Sequence, residues 1–299
     1  MQTRCLPHHR YPKLGRGASL LAVAAVYVAA VVIGLETAES LAIEHPVAFM
    51  LTADVVATLV VFAFSCWYGN ASTYDPYWSV IPMLIVLHWA VTDVSGAAVP
   101  VRQWLVVGLV WAWGARLTWN WIERWQGLGD EDWRYVLLRS ECGERYFLVN
   151  LFGIHLLPTL LVFAGVLASW PALADARNDL NWLDLLAAVV TFIAICLEES
   201  ADRQLRRHRA SGDAGRLQSG WWARSRHPNY FGEVLFWWGL YLFALAANPG
   251  WWWSGIGALA ITVLFVTVSI PMMDRRMLKR DPAYQRVMDR LPAMIPKIR

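Results

Sequence analysis

WWARSRHPNYFGEVLFWWGLYLFAL, residues 221–245, sets a basic, proline-broken turn directly against an apolar run. From Phe231 onward the only charged residue is Glu233. An apolar run that continues to about residue 248 is long enough to cross a bilayer as a helix. The same alternation of apolar block and charged connector fills the chain. Blocks recur at about 19–35, 47–66, 79–95, 101–120, 148–170, 182–198, 231–248 and 251–272. Each is close to the roughly 17–25 residues that a spanning helix needs. Of the 299 residues 57% are hydrophobic and 16% charged, with a mean hydropathy of +0.38. A soluble core does not require so much apolar sequence. The predicted fold class is therefore all-α: a polytopic transmembrane helical bundle of about eight spans, one domain over residues 1–299. A β-barrel is disfavoured, because its strands alternate in polarity. The third block is the weakest, interrupted by Pro82, His88 and Asp93.

Orientation follows from the basic residues. Arg-rich segments are the N-terminus, residues 116–147 with five Arg, residues 199–230, and the tail from Arg275. Residues 36–46 carry three Glu and no Lys or Arg. With eight spans every Arg-rich segment falls on the cytoplasmic side, with both termini inside. The basic N-terminus before the first block looks like a signal peptide, but further spans follow, so the first block is read as a retained helix. Tryptophans near the block ends, among them Trp67, Trp104, Trp170, Trp182, Trp221, Trp222 and Trp251 to Trp253, are expected to form an interfacial belt. Short loops rich in Trp and Arg point to a bacterial inner membrane.

Several chemistries are disfavoured. The four cysteines are scattered with no CxxC pair, so neither a disulfide framework nor a zinc cluster is expected. The seven histidines form no HExxH or HxxHH array, which disfavours a metal hydrolase or di-iron oxygenase. No metal site and no nucleic-acid partner are expected, and the sequence does not define an oligomeric state.

What remains is the set of Arg clusters. Arg supplies 23 of the 26 basic residues, and its planar fork suits phosphate. EESADRQLRRHRA, 198–210, continues the sixth block as a helix that places Asp202, Arg206 and Arg209 on one face. WGARLTWNWIERW puts Arg116, Asn120 and Arg124 in a second stripe. Both are expected on the membrane side that carries SRHPNY. A solvated surface that only sets topology would explain the Arg residues, but not the interleaved Asp202, Asn120 and Glu123. Pro228 should start a helix near residues 229–231, and it biases His227 to an extended conformation. The free amides and dipole of that helix end attract an anion. Asn229 could cap the helix or reach a ligand. Glu233 lies one turn inside, where a charge is either functional or paired.

YDPYWSV (74–80), WGARL (113–117), EESADRQL (198–205), SRHPNYFGE (225–233) and a tail with Tyr284 and MIP (294–296) together resemble the DUF1295 membrane proteins, which share the C-terminal domain of steroid 5α-reductases. The likeness covers about residues 60–299 and leaves the first span, within 18–46, outside. It implies NADPH-dependent reduction of a carbon–carbon double bond in a lipid. Carried over by position, it implies that Arg116, Arg124, Asp202, Arg209, Arg216, Asn229 and Glu233 bind the cofactor. Arg206, Arg226, His227 and Tyr230 are added from their placement alone. No GxGxxG follows a strand, so the site would be an intramembrane pocket and not a Rossmann fold. The steroid reductases polarise a carbonyl with a Glu and a Tyr in early spans. No residue here matches that Glu, Trp113 stands about where the Tyr would, and His155 stands where Gln is expected.

The implied reaction sends hydride to the β-carbon of an activated alkene, while a buried acid polarises the carbonyl or protonates the α-carbon. Tyr230, Glu233 and Asp75 are the catalytic candidates, with Tyr74 and Tyr77 beside them. Asp75 could instead be a turn residue ahead of Pro76. Among the ionisable residues within spans, Asp54 is the one most expected to be functional, and the histidines are expected to hydrogen bond to neighbouring helices. The substrate would be a lipid-soluble small molecule entering from the membrane. Two other readings stay open: an S-adenosylmethionine-dependent methyltransferase of the isoprenylcysteine carboxyl type, which shares an RHPxYxG-like turn, and a non-catalytic lipid-binding protein.

Overall fold

The structure is a computed structural model that describes residues 14–92, 99–212 and 215–297. Asp93 and the basic stretch before Leu14 lie outside the described residues. Among the described residues there is no strand. Eight helices occupy the eight apolar blocks: α1 (Arg16–Ser40), α2 (Pro46–Tyr68), α3 (Tyr77–Val91), α4 (Pro100–Arg124), α5 (Trp133–Leu167), α6 (Trp182–Ala210), α7 (Pro228–Ala247) and α8 (Pro249–Arg280). Among the described residues five of them, α1, α2, α5, α7 and α8, are long and apolar enough to cross a membrane. α3 has only 15 residues, the weakness already visible at Pro82. α5 begins well before residue 148, because the Arg-bearing stretch from Trp133 is helical and continuous with the apolar part.

Local chemistry sets the helix ends. Gly69 takes a left-handed φ of 62° and closes α2. Asn181 and Asp184 form a reciprocal capping box that starts α6. Pro228 occupies the first position of α7, where its missing N–H costs nothing. Two helices widen to π winding, α5 over Val149–Leu156 and α8 over Phe265–Ser269. Each π segment ends two residues before a proline, Pro158 or Pro271. A proline removes one rung of the i→i−4 ladder, and a π-bulge is one way to absorb that loss.

The chain divides into two compact units, Met1–Ile85 with Trp113–Phe163, and Val86–Ala112 with Ala164–Arg299. In the first, α1 lies on α2, and Gly34 lets it approach: a Cβ there would come within 2.3 Å of the Ala53 carbonyl oxygen. In the second, α6 and α7 pack through Gly232 and Gly239, two turns apart on one face. A Cβ at Gly232 would sit 2.9 Å from the Ala194 carbonyl oxygen, and one at Gly239 3.1 Å from Thr191 Cα. Small residues at such contacts let helix backbones meet where lipid gives no hydrophobic drive. The second unit also contains an ion pair shut off from solvent: Arg102 on α4 grips Asp184 on α6 at 2.6 and 2.8 Å. Trp67, Trp104, Trp182 and Trp252 are exposed as a belt would be, but Trp170 is buried against Trp89.

Candidate functional site

The SRHP turn is held by the C-terminal tail. Arg226 N–H donates to the Pro292 carbonyl and His227 N–H to that of Ala293, while Lys297 N–H donates back to Arg224. The Ser225 hydroxyl adds a bond to the Met294 carbonyl at 2.7 Å. This strapping holds His227 at φ −135° and ψ 64°, outside the helical region but short of the extended one expected from Pro228, and Pro228 then opens α7. Below the strap lies Asp274 of α8. Its Oδ1 accepts from His227 Nε2 at 3.0 Å and from the Tyr284 hydroxyl at 2.8 Å, and its Oδ2 meets Arg226 Nη1 at 2.9 Å. The Arg216 guanidinium stands over the Tyr284 ring, 5.4 Å from its centroid. Burial pulls the Arg216 guanidinium below its usual range, with Tyr284 acting against that shift. Burial and then Asp274 push the Tyr284 phenol up. Tyr230 stacks on His227 with centroids 5.1 Å apart and planes within 9°, and meets Phe265 edge-on.

Asn229 does not cap α7; the cap position belongs to His227, which makes no side-chain cap bond. Instead Asn229 Nδ2 donates to Asp202 of α6 at 3.2 Å, which joins two residues that the sequence placed 27 apart. Asn229 Oδ1 is buried and has no hydrogen-bond partner. Glu233 is buried and accepts from Trp237 Nε1 at 2.9 Å. Arg206 pairs with Glu199 at 2.8 Å, and Arg209, three residues on, is exposed. Arg116 and Arg124 belong to the first unit, where Arg124 is exposed and bonds the Asn120 carbonyl. The structure thus brings Arg216, Arg226, His227 and Tyr230 into one network, and Asn229 to Asp202. Asp274, the hub of the network, was missed. Its only signal is an acid directly before the Arg-rich tail that also carries Asp281 and Asp289, and nothing local tells such an acid from a topology-neutral charge.

Asp75 sits half-buried in the turn ahead of Pro76, as a turn residue would. Its carboxylate accepts the Tyr135 hydroxyl and lies 3.7 Å from Arg134. Burial pushes its carboxyl from 3.8 up to about 6, against the pull of Arg134 and Tyr135. The folded chain therefore binds the extra proton more tightly than the unfolded one, and this group's contribution to stability falls as pH rises from about 4 to about 6. A shift of this size corresponds to about 3 kcal/mol. Asp75→Asn keeps an acceptor for Tyr135 and is expected to remove that fall, leaving the variant as stable as wild type or more so at pH 7. Unfolding midpoints of both proteins in detergent from pH 4 to 7 check this, and parallel curves would refute it.

The first unit also holds a buried polar core. The Tyr77 hydroxyl donates to Asp54 Oδ1 at 2.8 Å. Thr159 joins the Thr58 hydroxyl at 2.9 Å and the Tyr74 hydroxyl at 2.8 Å. The His155 ring packs against Tyr74 at a tilt of 47°, with centroids 4.7 Å apart. Asp54 and Tyr77, singled out separately from the sequence, form a carboxyl–phenol pair. Trp113 packs on Trp78.

A family model described as Protein of unknown function (DUF1295) matches residues 61–290. The uncharacterised protein C594.04c of Schizosaccharomyces pombe is 25% identical over 278 residues, which span 85% of this chain and 80% of the yeast protein. No solved structure matches the chain. The matched region takes in the turn, Asp202, Asp274 and Tyr284, and leaves out Asp54.

Proposed function

The chain belongs to the DUF1295 family, and from that premise we propose that it is an integral membrane oxidoreductase that uses NADPH to reduce a carbon–carbon double bond in a lipid. The observation that carries the reading is Asn229. Its amide nitrogen is fixed by Asp202 at the start of α7, which leaves a buried, unpartnered Oδ1 beside a helix N-terminus. A ribose hydroxyl or an amide N–H of a nucleotide would satisfy that oxygen. The amide groups of the same helix end favour phosphate, and Arg206, Arg209 and Arg216 supply guanidinium groups in the same unit. Arg226 and His227 hold the turn through Asp274, and Tyr230 offers a ring face beside them. When bound, the cofactor would supply the hydride. Of the catalytic candidates, Tyr230 and Glu233 lie in the same unit as Asn229.

The test is titration of the detergent-purified chain with NADPH and, separately, with S-adenosylmethionine. NADPH is expected to bind, and Arg216→Ala or Asn229→Ala to weaken it about tenfold or more, the loss of one or two charge-assisted or buried hydrogen bonds. Binding of S-adenosylmethionine alone would move the assignment to methyl transfer. Binding of neither would remove the enzyme reading.

A further inference from the structure

Among the described residues of the first unit, four of the buried side-chain atoms that have no hydrogen-bond partner lie on α2 and on the π segment of α5: Asp54 Oδ2 and Ser65 Oγ, and Asn150 Oδ1 and His155 Nε2. Their residues are at most 5% exposed. Such atoms lose their hydration for nothing in return, and native interiors seldom leave them unpaired. Asp54, Thr58 and Ser65 stand at i, i+4 and i+11, one face of α2, and Thr58 hydrogen bonds to Thr159 of α5.

The unpaired atoms specify what is missing. His155 Nδ1 lies 2.9 Å from the Asn150 carbonyl oxygen, five residues back across the π turn. A carbonyl oxygen only accepts, so Nδ1 carries the proton and Nε2 is an acceptor. Asn150 donates its amide nitrogen to Cys66 Sγ, which leaves its Oδ1 an acceptor as well. At His155 and Asn150 the missing group is therefore a hydrogen-bond donor. No Arg or Lys bonds these atoms among the described residues, so the site has no fixed charge to hold an anionic headgroup.

A row of rings leads inward to it. Phe147 is 57% exposed, Phe62 is 8% exposed and His155 is fully buried. Phe62 meets Phe147 and His155 edge-on, with centroids 5.3 Å apart in both cases. Leu148 and Phe152 flank the outer end and are exposed. Rotation of two phenyl rings would open His155 to an apolar molecule arriving from the lipid.

We propose that this core is a binding site for a neutral lipid alcohol. Its hydroxyl donates to His155 Nε2, and its hydrocarbon chain follows Phe62 and Phe147 outward. The inference does not need the nicotinamide reading. The test uses the full chain in phosphatidylcholine nanodiscs, with a long-chain primary alcohol carrying a diazirine and, in parallel, its methyl ether, which has no donor. Photolabelled peptides are mapped by mass spectrometry. The alcohol is expected to label α2 near Phe62 or α5 near His155 about tenfold more than the ether, the weight of one hydrogen bond to a buried acceptor. His155→Phe keeps a ring against Tyr74 and should bring the alcohol down to the level of the ether. The alcohol-to-ether ratio in the unaltered protein needs no variant to fold. No labelling at these segments, equal labelling by both probes, or an experimental structure with ordered water only on these atoms would each overturn the proposal.

Discussion

Asp274→Ala lowers the stability of the second unit by about 3–5 kcal/mol, the usual cost of stripping a buried charge of its partner. Asp274 ties together α8, the turn before α7 and the Tyr284 segment through two hydrogen bonds and an ion pair. Without it the Arg226 guanidinium, whose side chain is almost as buried, keeps its charge and loses its counter-charge. Tyr284→Phe removes a single bond to the same carboxylate and costs about 1 kcal/mol. Asp274→Asn keeps one acceptor and falls between the two. Urea unfolding of the three variants in detergent gives the ranking, and an Ala variant within about 1 kcal/mol of wild type contradicts the hub. A second readout separates the hub from general packing. If the turn presents a nucleotide site, Asp274→Ala weakens NADPH binding at temperatures where the protein is still folded, although no part of Asp274 belongs to the proposed contacts.

Arg102→Ala is expected to cost a similar 3–5 kcal/mol, and more specifically to fail to add to Asp184→Ala. Arg102 is 0% exposed. Its three nitrogens make four hydrogen bonds, Nε and Nη2 to Asp184 and Nη1 and Nη2 to the carbonyls of Asn178 and Asp179, so its loss leaves both a bare carboxylate and two unsatisfied carbonyls. Asp184 also accepts from Asn181 N–H in the cap of α6, so Asp184→Ala adds a lost cap worth about 1 kcal/mol. The pair Arg102→Met, Asp184→Leu replaces two charges with apolar volume and should be less damaging than either single Ala change. A double variant whose loss equals the sum of the singles would show that the two side chains do not act as a pair. Thermal unfolding of wild type, the two single Ala variants and the Arg102→Ala, Asp184→Ala double variant in one detergent supplies the cycle, with the Met, Leu pair measured beside it.

Much of the helical layout was legible in the residues alone. The blocks at 19–35, 47–66 and 231–248 lie inside α1, α2 and α7, with errors of a few residues at the ends. The continuation of the sixth block through ADRQLRRHR is present as one helix to Ala210. Helicity and apolar length are local properties, read within a window of one helix, and tertiary contacts hardly alter them. The start of α5 escaped because its first turns are charged, and hydropathy does not mark a helix that continues outside the apolar region. The site was legible in residue type and only partly in partnership. The sequence pointed to Arg216, Asn229 and Asp202 as a group, and to Asp54 as the ionisable residue most worth watching.

Tertiary structure alone decided which of these side chains are spent on one another. His227 reaches an acid 47 residues away, Tyr77 one 23 residues away, and Arg102 one 82 residues away. Each pairing depends on the rotation of one helix about its axis relative to another, and on the path of a tail folded back over a turn. A hydrogen bond needs its two atoms within about 3 Å of each other, and neither composition nor periodicity carries that information. The amino-acid sequence by itself determined that the chain is helical, rich in membrane-length apolar segments and armed with guanidinium groups between them. Only the fold decided that Asp274 locks the turn, and that four polar atoms between α2 and α5 are left without partners. Burial turns such a difference of a few ångströms into a bond made or a bond missing.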